Sequence, residues 1–277
     1  MGMSVVPAPE NEVFAANRAC GRIALAVKAG HGVTRRSRIR EEGPLRVRCP
    51  GQPSAELEAV ILNTAGGVAG GDRFNIDISV PSEARLVVTT AAAEKIYRAL
   101  DDDAVIAINL KVAAGATLAW LPQETILFDG ARLARTIRID IDRDARLIVA
   151  EAIIFGRSGM GETVHHGRLL DRWQVYRDGR ITHAEALRFE GEIGAKLSAA
   201  AVTNGGTAIA TVLIVPAEES FLIGVRALRF VGEVAASAWK GVLLIRLCAA
   251  DGAALRHDLV AVLNAVRGGA LPRLWLN

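Results

Sequence analysis

Residues Arg73–Thr90 read RFNIDISVPSEARLVVTT, and the architecture turns on how this stretch is read. In its first half Phe74, Ile76, Ile78 and Val80 face one way, and Arg73, Asn75, Asp77 and Ser79 face the other. A period of two marks a half-buried β-strand. The second half is a turn, then Ala84-Arg85-Leu86, then an apolar strand. The same form recurs in VAAGATLAWLPQETILF (Val112–Phe128) and IDRDARLIVAEAIIFGR (Ile141–Arg157), with Ala-x-Leu starting at Ala84, Ala116 and Ala145. Amphipathic strands lead into each copy: Ile106, Ile108, Leu110 and Val112 alternate before the second, and RLARTIRIDID (Arg132–Asp142) precedes the third. RDGRITHAEALRF, from Arg177, reads as a fourth, degenerate copy. A repeat of about thirty residues predicts stacked layers, each burying its apolar face on the next. The expected fold is mainly β, a β-helical stack of two sheets with about two C-terminal helices. An ordinary sandwich is the second choice.

The C-terminal third changes character. Lys240–Cys248 reads as a buried strand and Asp251 as a helix cap. Leu255, Leu259, Val262, Leu263 and Val266 follow at helical spacing, and Gly268-Gly269 supplies the stop. Phe221–Ala238 also reads as helical. No linker divides the chain, so residues 1–277 are taken as one domain.

At 277 residues and 51% apolar content the chain can bury a large core. No apolar run is long enough to span a bilayer, and MGMSVVPAPENEVF does not read as a signal peptide. Cys20, Cys49 and Cys248 are odd in number and far apart, which suits reduced thiols in a cytoplasm. The net charge is only +3. Most of the surplus lies in Arg35, Arg36, Arg38, Arg40, Arg46 and Arg48, where Glu41 and Glu42 interrupt and no aromatics interleave for base stacking. The plain reading is solvated arginines alternating on edge strands, with an acidic protein partner as the other use.

The glycine-rich stretch NTAGGVAGGDRFNI (Asn63–Ile76) lacks the Gly-Lys-Ser/Thr and following helix of a phosphate loop. A dinucleotide fingerprint also fails, because no βαβ unit surrounds it. Gly66, Gly67, Gly70 and Gly71 permit close backbone approach, with Asp72 at the exit, or simply make a tight turn. Gly156-Arg157-Ser158-Gly159-Met160 has Met160 where a nucleophile elbow needs glycine. His165 and His166 are adjacent, so on a strand they diverge. No Cys-x-x-Cys or His-x-x-x-His pair suggests zinc. Asp72, Glu124, Glu151 and Glu162 sit beside turns, each as a candidate ligand or a solvated, ion-paired carboxylate.

Six segments, in order, match a known family. They are Gly43–Val47 (GPLRV), Asn63–Asp72, Thr89–Arg98 (TTAAAEKIYR), Leu121–Ile126 (LPQETI), Phe155–Arg157 with Met160–Glu162, and Pro272–Trp275 (PRLW). The chain resembles the urease accessory protein UreD (UreH) family over nearly its whole length. Thr64 and Ala65 stand where the family usually has prolines, and the tryptophan common in its last helix is missing near Leu263. The resemblance implies a non-enzymatic cytoplasmic maturation factor that binds apo-urease and the accessory proteins UreF and, through UreF, UreG. It implies help in delivering nickel, a fold of two β-helical sheets plus two helices, and an internal water-filled nickel passage. It implies no nucleic acid, no membrane and no tightly bound cofactor, only transient nickel.

A conduit must release its ion. Carboxylates and hydroxyls exchange nickel faster than imidazole or thiolate clusters, so Asp72, Glu151 and Glu162 are the expected transit ligands, with Thr89 and Thr90 beside them. Partner-binding or structural roles are expected for the four loop glycines, Thr89, Thr90, Lys95 and Tyr97. The same holds for Gln123, Glu124, Gly156 and Arg157. Two alternatives remain: a β-solenoid carbohydrate-active enzyme, disfavoured by 5% aromatics, and a protein scaffold without a metal role.

Overall fold

The computed structural model describes residues 18–276. In chain order the strands begin with β1 (Cys20–Gly30), β2 (Val33–Glu42), β3 (Leu45–Arg48), β4 (Leu57–Asn63), β5 (Arg73–Val80) and β6 (Arg85–Thr90). They continue as β7 (Glu94–Ile96), β8 (Ala104–Val112), β9 (Thr117–Trp120), β10 (Thr125–Leu127), β11 (Arg132–Ile141) and β12 (Arg146–Phe155). The last are β13 (His166–Arg177), β14 (Arg180–Glu192), β15 (Ala208–Val215), β16 (Glu233–Trp239) and β17 (Val242–Ala249). The α-helices are α1 (Ile193–Ser198), α2 (Glu219–Ala227) and α3 (Gly252–Val266).

One sheet runs β14-β13-β11-β8-β5-β1-β2 and the other β16-β17-β15-β12-β9-β6-β4-β3. The chain winds between them. β5, β8, β11 and β13 lie side by side in parallel in the first sheet, and β4, β6, β9 and β12 in the second. This is the expected stack. The Ala-x-Leu copies explain it: Leu86, Leu118 and Leu147 fall in one register row, each almost fully buried. Ala84, Ala116 and Ala145 are as buried at the turns before them, where a larger side chain would part the layers. Turn bonds repeat as well, with Thr117 N donating to Ala84 O and Arg146 N to Ala116 O, each at 2.9 Å.

Two expectations fail. The stretch from Arg177 makes no fourth coil: β13 turns at Asp178-Gly179 and returns as β14, antiparallel in the same sheet. Both residues take positive φ (49° and 76°), which favours a hairpin over a crossing to the second sheet. Of the helix expected over Phe221–Ala238, only Glu219–Ala227 forms. Glu233–Trp239 is β16, an alanine-rich run whose propensity yields to ladder bonds along β17. The short α1 carries no signal strong enough to have been expected.

Between the sheets lies one apolar core, which takes the inward residues of β1, β5, β8 and β11. A second core lies behind the second sheet, where Leu255, Leu259, Val262 and Leu263 of α3 cover Ala119, Ala150, Val212 and Ile245. Asp251 Oδ1 caps α3 by accepting from Ala254 N at 2.9 Å. The outer face of the first sheet has no helix against it among the described residues. Leu118, fully buried in the stacked row, sets a test. Leu118→Ala should lower the unfolding free energy by about 2–5 kcal/mol in urea titration. A loss under about 1 kcal/mol would mean the coils do not pack as a single interior.

Candidate functional site

Return loops from the second sheet to the first follow β4, β7, β10 and β12, and all four lie on one flank. They stack by backbone bonds as the strands do. Val68 N donates to Lys95 O (2.8 Å), Ala99 N to Gly130 O (3.0 Å), and Gly130 N to His166 O (2.9 Å). The sequence segments singled out above therefore gather here, although they lie far apart in the chain.

The glycine loop is shaped by its neighbours. A Cβ on Gly67 would sit 2.4 Å from the Tyr97 ring, so only glycine fits. Tyr97 Oη donates to Gly66 O at 2.7 Å, and the Tyr97 ring meets Phe128 edge-on. Gly70 closes against Ala99, and Gly71 N donates to Asp103 O at 3.2 Å. Lys95 keeps its side chain exposed. Asp72 is buried and accepts from Ala19 N and Ala69 N, both at 2.8 Å, one on each oxygen. The loop is a braced bend, not a phosphate cradle.

On the same flank Arg157 stacks on Phe128 and donates two bonds to Glu162, at 2.8 and 3.2 Å. Those bonds, with the charge of Arg157, hold the Glu162 carboxyl below its usual range against the opposing effect of burial. Gly156 takes φ +87° with Glu162 O where a Cβ would go. Glu162 thus lies at the surface, tied to a cation.

Gln123 and Glu124 join the C-terminal segment. Arg256, on α3, donates to Gln123 Oε1 (2.8 Å) and Glu124 Oε1 (2.7 Å), and to the carbonyls of Leu274 and Trp275. Trp275 Nε1 donates to Leu121 O. Thr90 Oγ1 accepts from Gln123 N, whereas the buried Thr89 hydroxyl has no partner.

The interior holds what the sequence reading missed. Between the sheets Arg135 of β11 donates to Glu151 (2.5 Å) and, through two nitrogens, to Asp171 (3.0 and 2.6 Å). It also reaches Thr125 Oγ1 at 3.3 Å, and Trp120 Nε1 donates to Glu151 Oε1 at 2.8 Å. All three charged side chains are at most 4% exposed. One guanidinium faces two carboxylates, so the centre carries a net charge of −1 if both are ionised. Burial pushes the Glu151 carboxyl up while Arg135 opposes it. Burial alone would lower the Arg135 pKa, but its two carboxylate partners outweigh this and raise it.

Polar residues extend from this centre. Across the second sheet Glu151, Thr211 and Arg246 are register neighbours. Arg246 pairs with Glu185 at 3.1 Å, and His183 Nε2 lies 3.4 Å from the other Glu185 oxygen without a hydrogen bond. Burial tends to raise Glu185, but His183 and Arg246 outweigh it and hold the carboxyl low. A cavity of about 20 Å³, room for roughly one water, touches Glu151, Asp171, Glu185 and Thr211. It adjoins an open cleft of about 380 Å³ reaching Glu233 and Cys248. On the other side Glu94 lies in register with Thr125 and accepts from Asn63 Nδ2 on both oxygens. Burial pushes Glu94 up to about 7.

Asp72, Glu151 and Glu162 do not converge, and no three His, Cys, Asp or Glu side chains cluster to hold a metal among the described residues. The family model "UreD urease accessory protein" matches residues 19–276. The chain belongs to the UreD urease accessory protein family. It is 52% identical over 267 residues to the urease accessory protein UreD of Rhodopseudomonas palustris strain BisB18, covering 96% of each chain. The Bradyrhizobium diazoefficiens UreD is 52% identical over 269 residues, covering 96% of this chain and 97% of its own. "Urease accessory protein UreD 1" of a Bradyrhizobium species is 46% identical over 270 residues, with 96% of each chain covered. Membership displaces the carbohydrate-active alternative. Arg135, Asp171 and Arg256 lie outside the residues selected from sequence, and Asn63 and Glu94 lie inside matched segments without a role of their own there. The signal for Arg135 was its inward position on an alternating strand.

Removing Arg135 leaves two buried carboxylates facing each other. Arg135→Met should cost about 3–5 kcal/mol at neutral pH. The loss should shrink in acid, where carboxylates can protonate, as read by urea unfolding across pH. Glu94 has the opposite sign from a salt-bridged acid. Its folded pKa exceeds the unfolded value, so its stabilisation is full below about 4.5 and is lost as pH rises towards about 7. Glu94→Gln should therefore raise Tm at pH 8 relative to the unaltered chain, with the difference shrinking as pH falls through about 7 and gone below about 4.5.

Proposed function

We propose that this protein is a urease maturation factor that binds apo-urease together with UreF, and UreG through UreF, and passes nickel through its interior towards the urease active site. The observation that carries the reading is the buried Arg135–Glu151–Asp171 centre with its polar opening to the cleft. Nickel is cargo here. With both carboxylates ionised, the centre is net negative, and in a low-dielectric interior it attracts a dication. The guanidinium between the carboxylates weakens that attraction, and among the described residues no three His, Cys, Asp or Glu side chains gather to trap the ion. Glu185 and Thr211 offer oxygens one step outward, and Glu233 and Cys248 line the mouth. Glu151 is therefore the transit ligand of first choice, with Asp171 added to it. Asp72 and Glu162 act by shaping the flank on which partners dock, together with the glycine loop, Tyr97, Arg157 and the Gln123–Glu124 clamp.

A cytoplasmic setting fits the three free cysteines. No helix among the described residues is long and apolar enough to cross a membrane.

Glu151→Gln keeps the volume and the acceptor for Trp120. Co-expressed with urease and its other accessory proteins at limiting nickel, the variant should still co-purify with them but leave urease with several-fold less nickel. Full metallation by a folded Glu151→Gln chain would remove the interior route. Loss of co-purification would assign Glu151 to structure instead.

A further inference from the structure

The bare outer face of the first sheet carries more charge than a net of +3 suggests. Along β2 the outward positions hold Arg35, Arg38 and Arg40. A bulge at Ser37 displaces the simple alternation, leaving Arg36 on the other side. β1 adds Arg22 and Lys28, and β8 adds Lys111. Register fixes their placement. Lys28 lies directly opposite Arg35, and Arg38, Ala26, Ser79 and Lys111 form one row across four strands. A shallow furrow of about 380 Å³ crosses this corner, floored by Ala24, Ala26 and Ser79 and bounded by Arg38 and Lys111.

Asp77 is the acid in the furrow, and both its oxygens are taken, by Arg22 (2.9 Å) and Asn109 (2.9 Å). Lys28, Arg35, Arg38 and Lys111 have no ion partner among the described residues. Like charges directly across a ladder are destabilising, so Lys28 opposite Arg35 breaks a local rule without an evident gain in the free protein. Protection of an open sheet edge accounts for arginines on β2. It does not account for lysines on β1 and β8, which lie inside the sheet.

We propose that this corner docks an acidic protein segment, a run of Asp and Glu side chains from a partner. Charge complementarity is the argument: Arg38 and Lys111 bound a floor of small residues that lets a backbone approach, Lys28 and Arg35 stand together beyond its end, and the one acid across the ladder from Lys111, Asp140, is already held by Arg138 through both oxygens. In an extended segment alternate side chains repeat at about 6.8 Å, the spacing of Arg38 and Arg40 along β2. Nucleic acid suits the surface less well, because the furrow presents no aromatic ring for stacking and no helix for a groove. The corner faces away from the interior polar route, so the two readings stand or fall separately.

The test uses the full-length chain and fluorescence anisotropy with labelled decaglutamate at low ionic strength. Binding is expected, weakening as salt rises from about 0.05 to about 0.3 M. Reversing R35E, R38E and K111E together should weaken it about tenfold or more. R172E, R180E and R188E, an equal charge change at exposed positions of β13 and β14, should alter it less than about twofold. R38E alone, exposed on the edge strand, keeps the comparison if the triple variant folds poorly. The proposal is overturned by absent binding, or by equal losses in the two triple variants. It is also overturned if a single-stranded oligonucleotide of matched charge binds more tightly through the same residues.

Discussion

Everything in this molecule hangs on parallel strands stacking in register, so that each inward side chain rests on its counterpart in the next coil. Leu86, Leu118 and Leu147 show the rule. Parallel sheets need cover on their buried faces. The first sheet has it on one side, from the second sheet. The second sheet has it on both, because α3 closes its back. The coil repeat ends in antiparallel hairpins, β1 with β2 and β13 with β14.

Such a stack turns sequence distance into a simple geometry. Residues one coil apart become neighbours, and return loops of different length collect on one flank. There Tyr97, Phe128 and Arg157 come from three successive coils and pack together. Short turns on the opposite flank carry few special side chains. The asymmetry has a physical origin. A tight turn must keep its alanine small to preserve the layer spacing, whereas a longer loop can carry polar groups braced by its neighbours.

The interior is where that order is broken. Arg135 occupies a position that the alternation reserves for apolar residues, as do Glu151 on the facing sheet and Asp171 beside it. A buried ionic group costs desolvation energy and is weak evidence for stability. Its presence here, with Trp120 and Thr125 completing its bonds, points to function over packing, because apolar residues at all three positions together would fill the space at lower cost. The cation keeps two carboxylates together without creating a tight metal site.

The sequence by itself determined the two-sheet stack, the first three Ala-x-Leu coils, the α3 helix with its Asp251 cap, and the family. Period-two alternation, the Ala-x-Leu turns and the ordered motifs are local signals, and local signals survive in one dimension. It also picked out Asp72, Glu151 and Glu162, but as unrelated positions. Only the tertiary structure decided that Asp72 braces a loop, that Glu162 pairs with Arg157, and that Glu151 joins Arg135 and Asp171. It likewise decided that Glu233–Trp239 is a strand and that Arg177 begins a hairpin. These outcomes depend on which strand edge lies free and which charge lies across the gap. Nothing in a run of neighbouring residues encodes that until the coils have stacked.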